Sequence, residues 1–136
     1  MDETAYTGEL STHNIDSYNK AWWTIGYGGV SYDGKSISSS DSNAAIIDSG
    51  TSFLYLPQLD YNNFRREMEK IDGVNCRDSE NCVTYDLTCA EIAPKLKNLT
   101  IFLDNMHYVI PPYGYLLDSY GTSETCIIPV SSYPES

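Results

Sequence analysis

The sequence predicts a single, mainly β domain that contains one substantial helix. Its 136 residues, 41% of them hydrophobic, are enough for one compact core and too few for two domains of ordinary size. Twelve tyrosines outnumber two tryptophans and three phenylalanines, which favours strands over helical bundles. Asp33-Gly34 and Asp104-Asn105 each stand between two β-rich runs, and this arrangement predicts two hairpins.

The first half of the chain is predicted to form a hairpin, a loop and a short buried strand. WWTIGYGGVSY, Trp22 to Tyr32, is aromatic and β-rich, and it leads into the tight-turn signal Asp33-Gly34. Ser38 to Asn43 is polar, which predicts a surface loop. Ala44 to Ile47 is a continuous apolar run, typical of a strand covered on both faces, and Asp48 follows it directly.

One segment has the spacing of an amphipathic helix. Leu59, Phe64, Met68 and Ile71 recur at intervals near one or two helical turns, and charged residues separate them. Because the segment follows Pro57, we expect a helix over Pro57 to Ile71. Its apolar stripe is predicted to pack against the core of the domain.

The second half is predicted to contain a stapled loop and the second hairpin. Asp72 to Tyr85 has the composition of a surface excursion. Leu96 to Leu103 and Met106 to Ile110 are strand-like, and they are joined by the second turn signal. The tail, Ser131 to Ser136, has no stabilising pattern of its own.

The cysteines favour disulfides over a metal site. The chain has four of them, Cys76, Cys82, Cys89 and Cys126. Their spacings do not form paired C-x-x-C knuckles, and His13 and His107 are not at finger-like spacing from them, so a zinc site is a poor fit. The nearest pairing joins the first two and the last two cysteines, although three connectivities are open. Asn98-Leu99-Thr100 is a glycosylation sequon that agrees with an oxidising, secretory setting.

The charge balance excludes one class of partner. Eight Lys and Arg against nineteen Asp and Glu give a formal net charge of -11, so a nucleic acid would be repelled. The acidity fits either solubility at neutral pH or use at low pH, where carboxylates are protonated. The sequence has neither a signal-peptide h-region nor an apolar run able to cross a bilayer, which predicts a mature piece without a membrane span.

The residues that follow Asp48 can donate hydrogen bonds to its carboxylate. The four residues after it are small or carry hydroxyls: Ser49, Gly50, Thr51 and Ser52. A carboxylate at the end of an apolar strand is costly unless it is satisfied, and the Gly50 N–H and the Thr51 and Ser52 hydroxyls can satisfy it. The pattern therefore predicts a hydrogen-bonded, ionisable Asp48, whereas a bare Asp-Ser-Gly would more simply be an Asx turn.

The residues around Asp48 resemble a known active-site loop. IIDSGTSFL, Ile46 to Leu54, is similar at every position to the loop in the carboxy-terminal lobe of pepsin-like aspartic endopeptidases. The similarity continues through the segments YTGEL, WWTI, LKNLTIFL and YVIPPYGY, and it covers most of the chain. It implies the fold of that lobe, mainly β with one main helix and short helical turns. It also implies a Cys89–Cys126 disulfide, with Cys76 and Cys82 as an additional loop staple.

The resemblance implies a mechanism and roles for single residues. Two aspartates, one from each lobe, would share a proton and a water, and Asp48 would be one of them. Gly50 would donate its N–H to Asp48, Thr51 would join a threonine network that ties the two loops together, and Ser52 would orient the carboxylate or contact substrate. The candidates for lining the substrate cleft are Trp22, Ile46 and Phe53.

The resemblance also implies partners, cofactors and a location. The substrates would be polypeptides, and no metal or organic cofactor is expected. The location would be the secretory pathway, either extracellular or in an acidic vacuole or lysosome. His13 and His107 have no role in an aspartic mechanism, and we expect both to be exposed to solvent.

Parts of the family pattern are absent from the sequence. No second Asp-Thr/Ser-Gly occurs, and the Ile-Leu-Gly-Asp strand that braces the aspartate loop in this family is missing. We therefore expect residues 1–136 to be a partial domain whose partner is an amino-terminal lobe carrying the second aspartate. The isolated chain would be inactive, with an incomplete sheet beside Asp48 and an exposed strand edge.

Three other functions remain open from the sequence. Two identical chains could each contribute Asp48, as in single-lobe proteases. A protease-like domain that has lost catalysis could bind peptides or proteins, in which case the partner lobe would lack its aspartate. A disulfide-stapled structural domain would require the motif and its flanks to coincide by accident.

Overall fold

A long strand, β1 (Thr24–Tyr32), organises the largest sheet. The computed structural model of the protein describes residues 2–16, 21–76, 81–118 and 125–133. β1 turns through Asp33 and Gly34 into β2 (Lys35–Ser36). Both turn residues have positive φ, 53° and 76°, as the tightest hairpin turns require. The first predicted hairpin is therefore confirmed.

β1 also pairs with strands from distant parts of the chain. β3 (Ala44–Ile46) runs antiparallel to the first residues of β1, with Thr24 opposite Ile46. β7 (Leu99–Leu103) runs antiparallel to the remainder of β1, with Tyr32 opposite Leu99. β7 turns at Asp104 and returns as β8 (Met106–Ile110), which confirms the second predicted hairpin.

β3 differs from the predicted strand. Its three residues are exposed, half-buried and exposed in turn, so the expectation of a strand covered on both faces is wrong. The apolar run predicts burial only if another layer covers it, and no such layer is present within the described ranges. Ile46 and Ile47 keep 44% and 48% of their surface accessible.

A second sheet holds both disulfides. Its strand order is β5 (Val74–Cys76), β6 (Cys82–Thr84), β10 (Cys126–Ile128) and β9 (Leu117–Asp118). Cys76–Cys82 joins β5 to β6, and Cys89–Cys126 joins the short helix α2 (Cys89–Ile92) to β10. The pairing is the nearest-neighbour one, and Cys89–Cys126 is the bond that the resemblance implies.

The segment Asp72 to Tyr85 is more than a surface excursion. Cys82 and Thr84 are fully buried, and the Thr84 hydroxyl accepts a hydrogen bond from the Cys126 N–H at 2.7 Å. The prediction of a surface loop is therefore wrong for β6, because pairing with β10 draws this strand into the core. Residues 77–80 of the segment lie outside the described residues.

The strand after the Asp48 loop, β4 (Leu54–Leu56), has a parallel neighbour. β11 (Val130–Ser132) pairs with it, with Val130 opposite Leu54. The expectation that the tail has no stabilising pattern is wrong for Ser131 and Ser132, which gain their order from β4 and not from a local signal. Residues 134–136 of the tail lie outside the described part.

The main helix, α1 (Gln58–Glu69), packs on the core through a face that the sequence predicted only in part. Its buried residues are Asp60, Tyr61, Phe64 and Met68. Leu59, which the apolar stripe included, is 53% exposed, because Tyr61, Phe64 and Met68 already define the inward face at helical spacing. Ile71 lies beyond the end of the helix and is only half-buried.

The hydrophobic core joins α1 to both larger sheets. Its fully buried side chains come from both helices and from strands of all three sheets, and they include Tyr61, Phe64, Met68, Ile92, Val30, Leu56, Leu99, Ile128 and Val130. Two 3-10 turns, Ala93–Lys95 and Pro112–Tyr115, complete the fold. The predicted class, mainly β with one main helix and short helical turns, is confirmed. No helix in the described ranges is long and apolar enough to cross a membrane.

Candidate active site

The Asp48 loop connects β3 to β4 at one end of the largest sheet. The Ile47 N–H donates to the Trp23 carbonyl at 2.8 Å, and the Leu54 N–H donates to the Pro129 carbonyl at 2.9 Å. These two bonds attach the entry of the loop to the residue before β1 and its exit to the residue between β10 and β11. Between them the chain turns back on itself through Asp48, Gly50 and Thr51.

The Asp48 carboxylate accepts two hydrogen bonds from within its own loop. The Gly50 N–H donates to Oδ1 at 2.9 Å, and the Thr51 hydroxyl donates to Oδ2 at 2.6 Å. The Thr51 N–H also points at the Asp48 carbonyl, 3.4 Å away. Each carboxylate oxygen therefore has one donor and keeps a lone pair open to solvent.

Gly50 leaves room where the backbone passes close to the carboxylate. A Cβ added at this position would lie 3.2 Å from Asp48 Oδ1, a distance that would push the carboxylate away from the N–H. The glycine thus allows a backbone donor to approach the oxygen without a side chain between them.

The same two contacts set the electrostatics of the loop. The Thr51 hydroxyl, and after it the Gly50 N–H, hold the pKa of Asp48 below its ordinary value of 3.8. Both groups stabilise the charged form. Asp48 is exposed, so its charge is also solvated by water, and the side chain is an accessible carboxylate whose charged form is favoured.

The other residues predicted for the site form a rim of exposed and half-buried side chains on the loop, on β3 and just before β1. Ser49 and Ser52 are exposed, and no hydrogen bond joins Ser52 to Asp48 within the described residues. Trp22 is 54% exposed, Ile46 is 44% exposed and Phe53 is half-buried. β3 and the start of β1 therefore present apolar surface beside the carboxylate.

Two exposed apolar residues next to this rim were missed by the sequence reasoning. Trp23 is 70% exposed and Ile47 is 48% exposed. They help to form a pocket of about 470 Å³. It is lined by Ser11, His13, Ile15, Trp23, Ile25, Ile47, Leu103 and Tyr108. The only available signal was that apolar side chains alternate between the two faces of a strand.

His13 forms a contact that the sequence did not predict. Its Nδ1 lies 2.5 Å from Asp104 Oδ2, and its Nε2 lies 2.5 Å from the Tyr108 hydroxyl. The side chain is only 15% exposed, so the expectation of a solvent-exposed His13 is wrong, because these two partners draw it against the β7–β8 hairpin. His107 is exposed as expected.

A second aspartate, Asp60, is a buried carboxylate. It is fully buried, and its oxygens accept from the Ser39 N–H at 2.7 Å, the Ser40 N–H at 2.8 Å and the Tyr27 hydroxyl at 2.6 Å. The Ser40 hydroxyl is a fourth donor at 3.1 Å. Because every bond is long-range in sequence, no local pattern identified Asp60.

The chemistry available at the Asp48 loop is that of a single carboxylate. An ionised, exposed carboxylate can accept a proton from a bound water and so act as a general base. No group of three or more His, Cys, Asp or Glu side chains that could hold a metal occurs among the described residues. The arrangement can therefore supply a single proton-accepting carboxylate.

Comparisons with known proteins agree with the loop and the fold. The family described as "Eukaryotic aspartyl protease" matches residues 1–136. "Vacuolar protease A" of Arthroderma otae is 30% identical over 121 residues, which cover 89% of this chain and 27% of that protein. "Pepsin A" of Bos taurus is 27% identical over 121 residues, 89% of this chain and 30% of that protein. "Pepsin-3" of Oryctolagus cuniculus is 28% identical over 127 residues, 93% of this chain and 30% of that protein. The chain thus spans less than a third of the length of these relatives.

Proposed function

The chain belongs to the eukaryotic aspartyl protease family and is pepsin-like, and from this premise we propose that it supplies one catalytic aspartate, Asp48, to an aspartic endopeptidase. One observation carries the proposal. The Asp48 carboxylate is exposed, and hydrogen bonds from the Thr51 hydroxyl and the Gly50 N–H favour its charged form by lowering its pKa. The motif around it resembles the family's active-site loop.

The proposed reaction is the hydrolysis of a peptide bond by a pair of aspartates and a water. Two carboxylates that share a site cannot both ionise easily, so one keeps a proton. The ionised member takes a proton from the water as the water attacks the peptide carbonyl, and the protonated member donates toward the carbonyl oxygen. The reaction uses no metal or organic cofactor, and acidic pH would maintain the shared proton.

The second aspartate would come from a lobe outside this chain. Residues 1–136 cover less than a third of the curated relatives, and within the described ranges no other carboxylate hydrogen-bonds to the Asp48 loop. We therefore interpret the chain as a partial domain that corresponds to the carboxy-terminal lobe, with a partner lobe that completes the pair. The exposed apolar rim at Trp22 and Ile46 would face the polypeptide substrate.

Disulfides and relatives favour the secretory pathway as the location. Cys76–Cys82 and Cys89–Cys126 are both oxidised, and such bonds persist in oxidising compartments. One relative is named for the vacuole and another is a pepsin. An acidic vacuole or the extracellular space would suit a pair of aspartates that share a proton.

The test is the activity of the full-length protein from its natural source or a eukaryotic host. Asp48→Asn removes the base but keeps the shape of the side chain, so we expect kcat/KM for an acid-denatured protein substrate to fall by about 10² to 10⁴. Asp33→Asn is the matched control. Asp33 is exposed at a turn with φ of 53°, a backbone conformation that asparagine tolerates. Full activity in Asp48→Asn would refute the proposal.

Assembly is tested separately with the 136-residue chain alone. The two-lobe proposal expects no peptidase activity at any concentration of this chain. Activity that rises with the square of the chain concentration would instead indicate a symmetric pair of chains, each contributing Asp48.

A further inference from the structure

The glycosylation sequon lies at an exposed corner of the largest sheet. Asn98 is exposed immediately before β7, while the next residue, Leu99, is fully buried. Asn98-Leu99-Thr100 is the only Asn-X-Ser/Thr sequence in the 136 residues. We propose that Asn98 carries an N-linked glycan, attached at the end of the sheet opposite the Asp48 loop.

The backbone at this corner is fixed by bonds to buried side chains, and the exposed Asn98 side chain is therefore held in a defined direction, away from the core. The Lys97 N–H donates to the Tyr32 hydroxyl at 3.0 Å, and the Lys97 carbonyl accepts from the Tyr115 hydroxyl at 2.5 Å. The Asn98 carbonyl accepts from the Asp33 N–H at 3.1 Å. Tyr32 and Tyr115 are both buried. The corner is thus a rigid platform for an attached group.

The Asn98 amide itself is available for attachment. Within the described parts of the chain, no hydrogen bond uses its side-chain oxygen or nitrogen. A glycan on this nitrogen would therefore break no hydrogen bond between the described residues and would extend into solvent. The side chain thus meets the structural requirement that a modified asparagine must meet after folding.

The register of β1 places the glycan far from the proposed catalytic carboxylate. Tyr32 pairs with Leu99 at one end of β1, and Thr24 pairs with Ile46 at the other end. Eight residue steps separate these two pairs, which is about 26 Å of extended strand. Asp48 lies two residues beyond Ile46. The glycan would consequently leave the loop open to polypeptides.

The modification transfers a sugar chain from a lipid-linked oligosaccharide diphosphate. The Asn98 amide nitrogen bonds to the anomeric carbon of the first N-acetylglucosamine, the bond from that carbon to the phosphate oxygen breaks, and the nitrogen loses a proton. The lipid diphosphate is the leaving group, and no oxidant or reductant takes part. The transferase must contact both Asn98 and the Thr100 hydroxyl.

The structure also sets the order of modification and folding. Thr100 lies within β7, opposite Ser31 of β1 and Val109 of β8. A strand held on both edges cannot also enter an enzyme's binding groove, so transfer must precede the pairing of β7. The folded, unglycosylated chain is therefore expected to be a poor acceptor, whereas the reduced and denatured chain is a good one.

The experiment is peptide mapping of the full-length protein secreted from a eukaryotic host. Peptide N-glycosidase in H₂¹⁸O should leave an ¹⁸O-labelled aspartate at position 98. Thr100→Val, which keeps a β-branched side chain in the strand, should remove the glycan, and Thr100→Ser should retain it. Asn98→Gln gives a second unglycosylated form if Thr100→Val is not secreted. An unmodified Asn98 peptide in the secreted wild-type protein would overturn the proposal.

A second measurement tests the position of the glycan. Enzymatic removal of the glycan from the native protein should leave kcat/KM for a polypeptide unchanged, because the corner and the loop lie at opposite ends of β1. A loss of activity on removal would contradict the proposed placement. The mapping does not depend on activity, so its result and that of the Asp48→Asn test can be told apart.

Discussion

Asp48 precedes β4 in the sequence and Asp60 follows it, and the two aspartates have opposite environments. Asp48 is exposed and is held by two donors from its own loop, Gly50 and Thr51. Asp60 is fully buried and accepts from four donors on β1 and on the connector between β2 and β3. A carboxylate with all its lone pairs occupied by protein is a structural clamp, whereas one with a free side is available for chemistry.

The clamp at Asp60 organises the route to the Asp48 loop. Asp60 lies in the first turn of α1, where a negative charge is favoured by the unpaired N–H groups of the helix. It binds the N–H groups of Ser39 and Ser40, which precede β3, and the hydroxyl of Tyr27 in the middle of β1. Three elements therefore meet at one buried carboxylate. The contrast between Asp60 and Asp48 can be tested by substituting each aspartate, and then one donor to each aspartate.

The largest effect is expected from Asp60→Ala. This change leaves two N–H groups and two hydroxyls without their acceptor in the interior, so we expect it to lower the free energy of unfolding by about 3 kcal/mol or more. Asp60→Asn should cost less, because its oxygen can still accept from the Ser39 and Ser40 N–H groups. The measurement is urea unfolding of the 136-residue chain with both disulfides intact.

Asp48→Ala is the control for that prediction. Because Asp48 is exposed and bonded only within its loop, we expect a much smaller fall in the urea midpoint than Asp60→Ala causes. Equal destabilisation by Asp48→Ala and Asp60→Ala would break the distinction between the loop and the clamp.

A smaller effect is expected from Tyr27→Phe. Removing the hydroxyl deletes one of the four donors to Asp60 and should lower the free energy of unfolding by about 1 kcal/mol at neutral pH. Tyr113→Phe, at a side chain that is 71% exposed, should have no effect. A Tyr27→Phe chain as stable as the wild type would mean that this bond contributes little to the clamp.

The Tyr27→Phe chain should also differ from the wild type at alkaline pH. Burial, and then the hydrogen bond to Asp60, raise the pKa of Tyr27 above its ordinary value of 10.0. A group whose folded pKa is raised contributes its full stability below pH 10.0 and loses it as the pH rises further. Wild-type stability should therefore fall more steeply above that pH than the stability of Tyr27→Phe, as measured by urea midpoints across the alkaline range.

The smallest effect is expected from Thr51→Val, and it is a change in the pKa of Asp48. The Thr51 hydroxyl is the main cause of the lowered pKa of Asp48, so its removal should move that pKa up toward 3.8. The stability linked to the ionised Asp48 is present above pH 3.8 and is lost as the pH falls through the folded pKa. The free energy of unfolding of Thr51→Val should therefore fall less on acidification than that of the wild type. Ser52→Ala is the control, and carboxyl NMR titration is the measurement. An unchanged Asp48 pKa in Thr51→Val would show that the hydroxyl does not hold the charge.

Local features of this protein could be predicted from the sequence because their determinants are close together in the chain. Asp33-Gly34 predicts a turn, since both residues adopt positive φ. The donors to Asp48 stand two and three residues after it, so a single turn of backbone brings them to the carboxylate. The helix was also predictable, because Phe64 and Met68 repeat at its period.

Exposure could not be predicted by the same means. Ala44 to Ile47 has the composition of a buried strand, yet Ile46 and Ile47 are about half exposed. Leu59 is exposed for a related reason, since Tyr61 occupies the inward position on α1. Composition gives the preference of a segment for burial, but the neighbouring layers decide whether anything covers it.

The sequence by itself determined the hairpins, the main helix and the loop that presents Asp48, because each depends on contacts between residues a few positions apart. Only the tertiary structure decided that Asp60 is buried, that His13 pairs with Asp104, and that Ser131 and Ser132 form a strand beside β4. These contacts join residues separated by long stretches of chain. Their energies arise only when the chain closes those loops, so no local pattern records them.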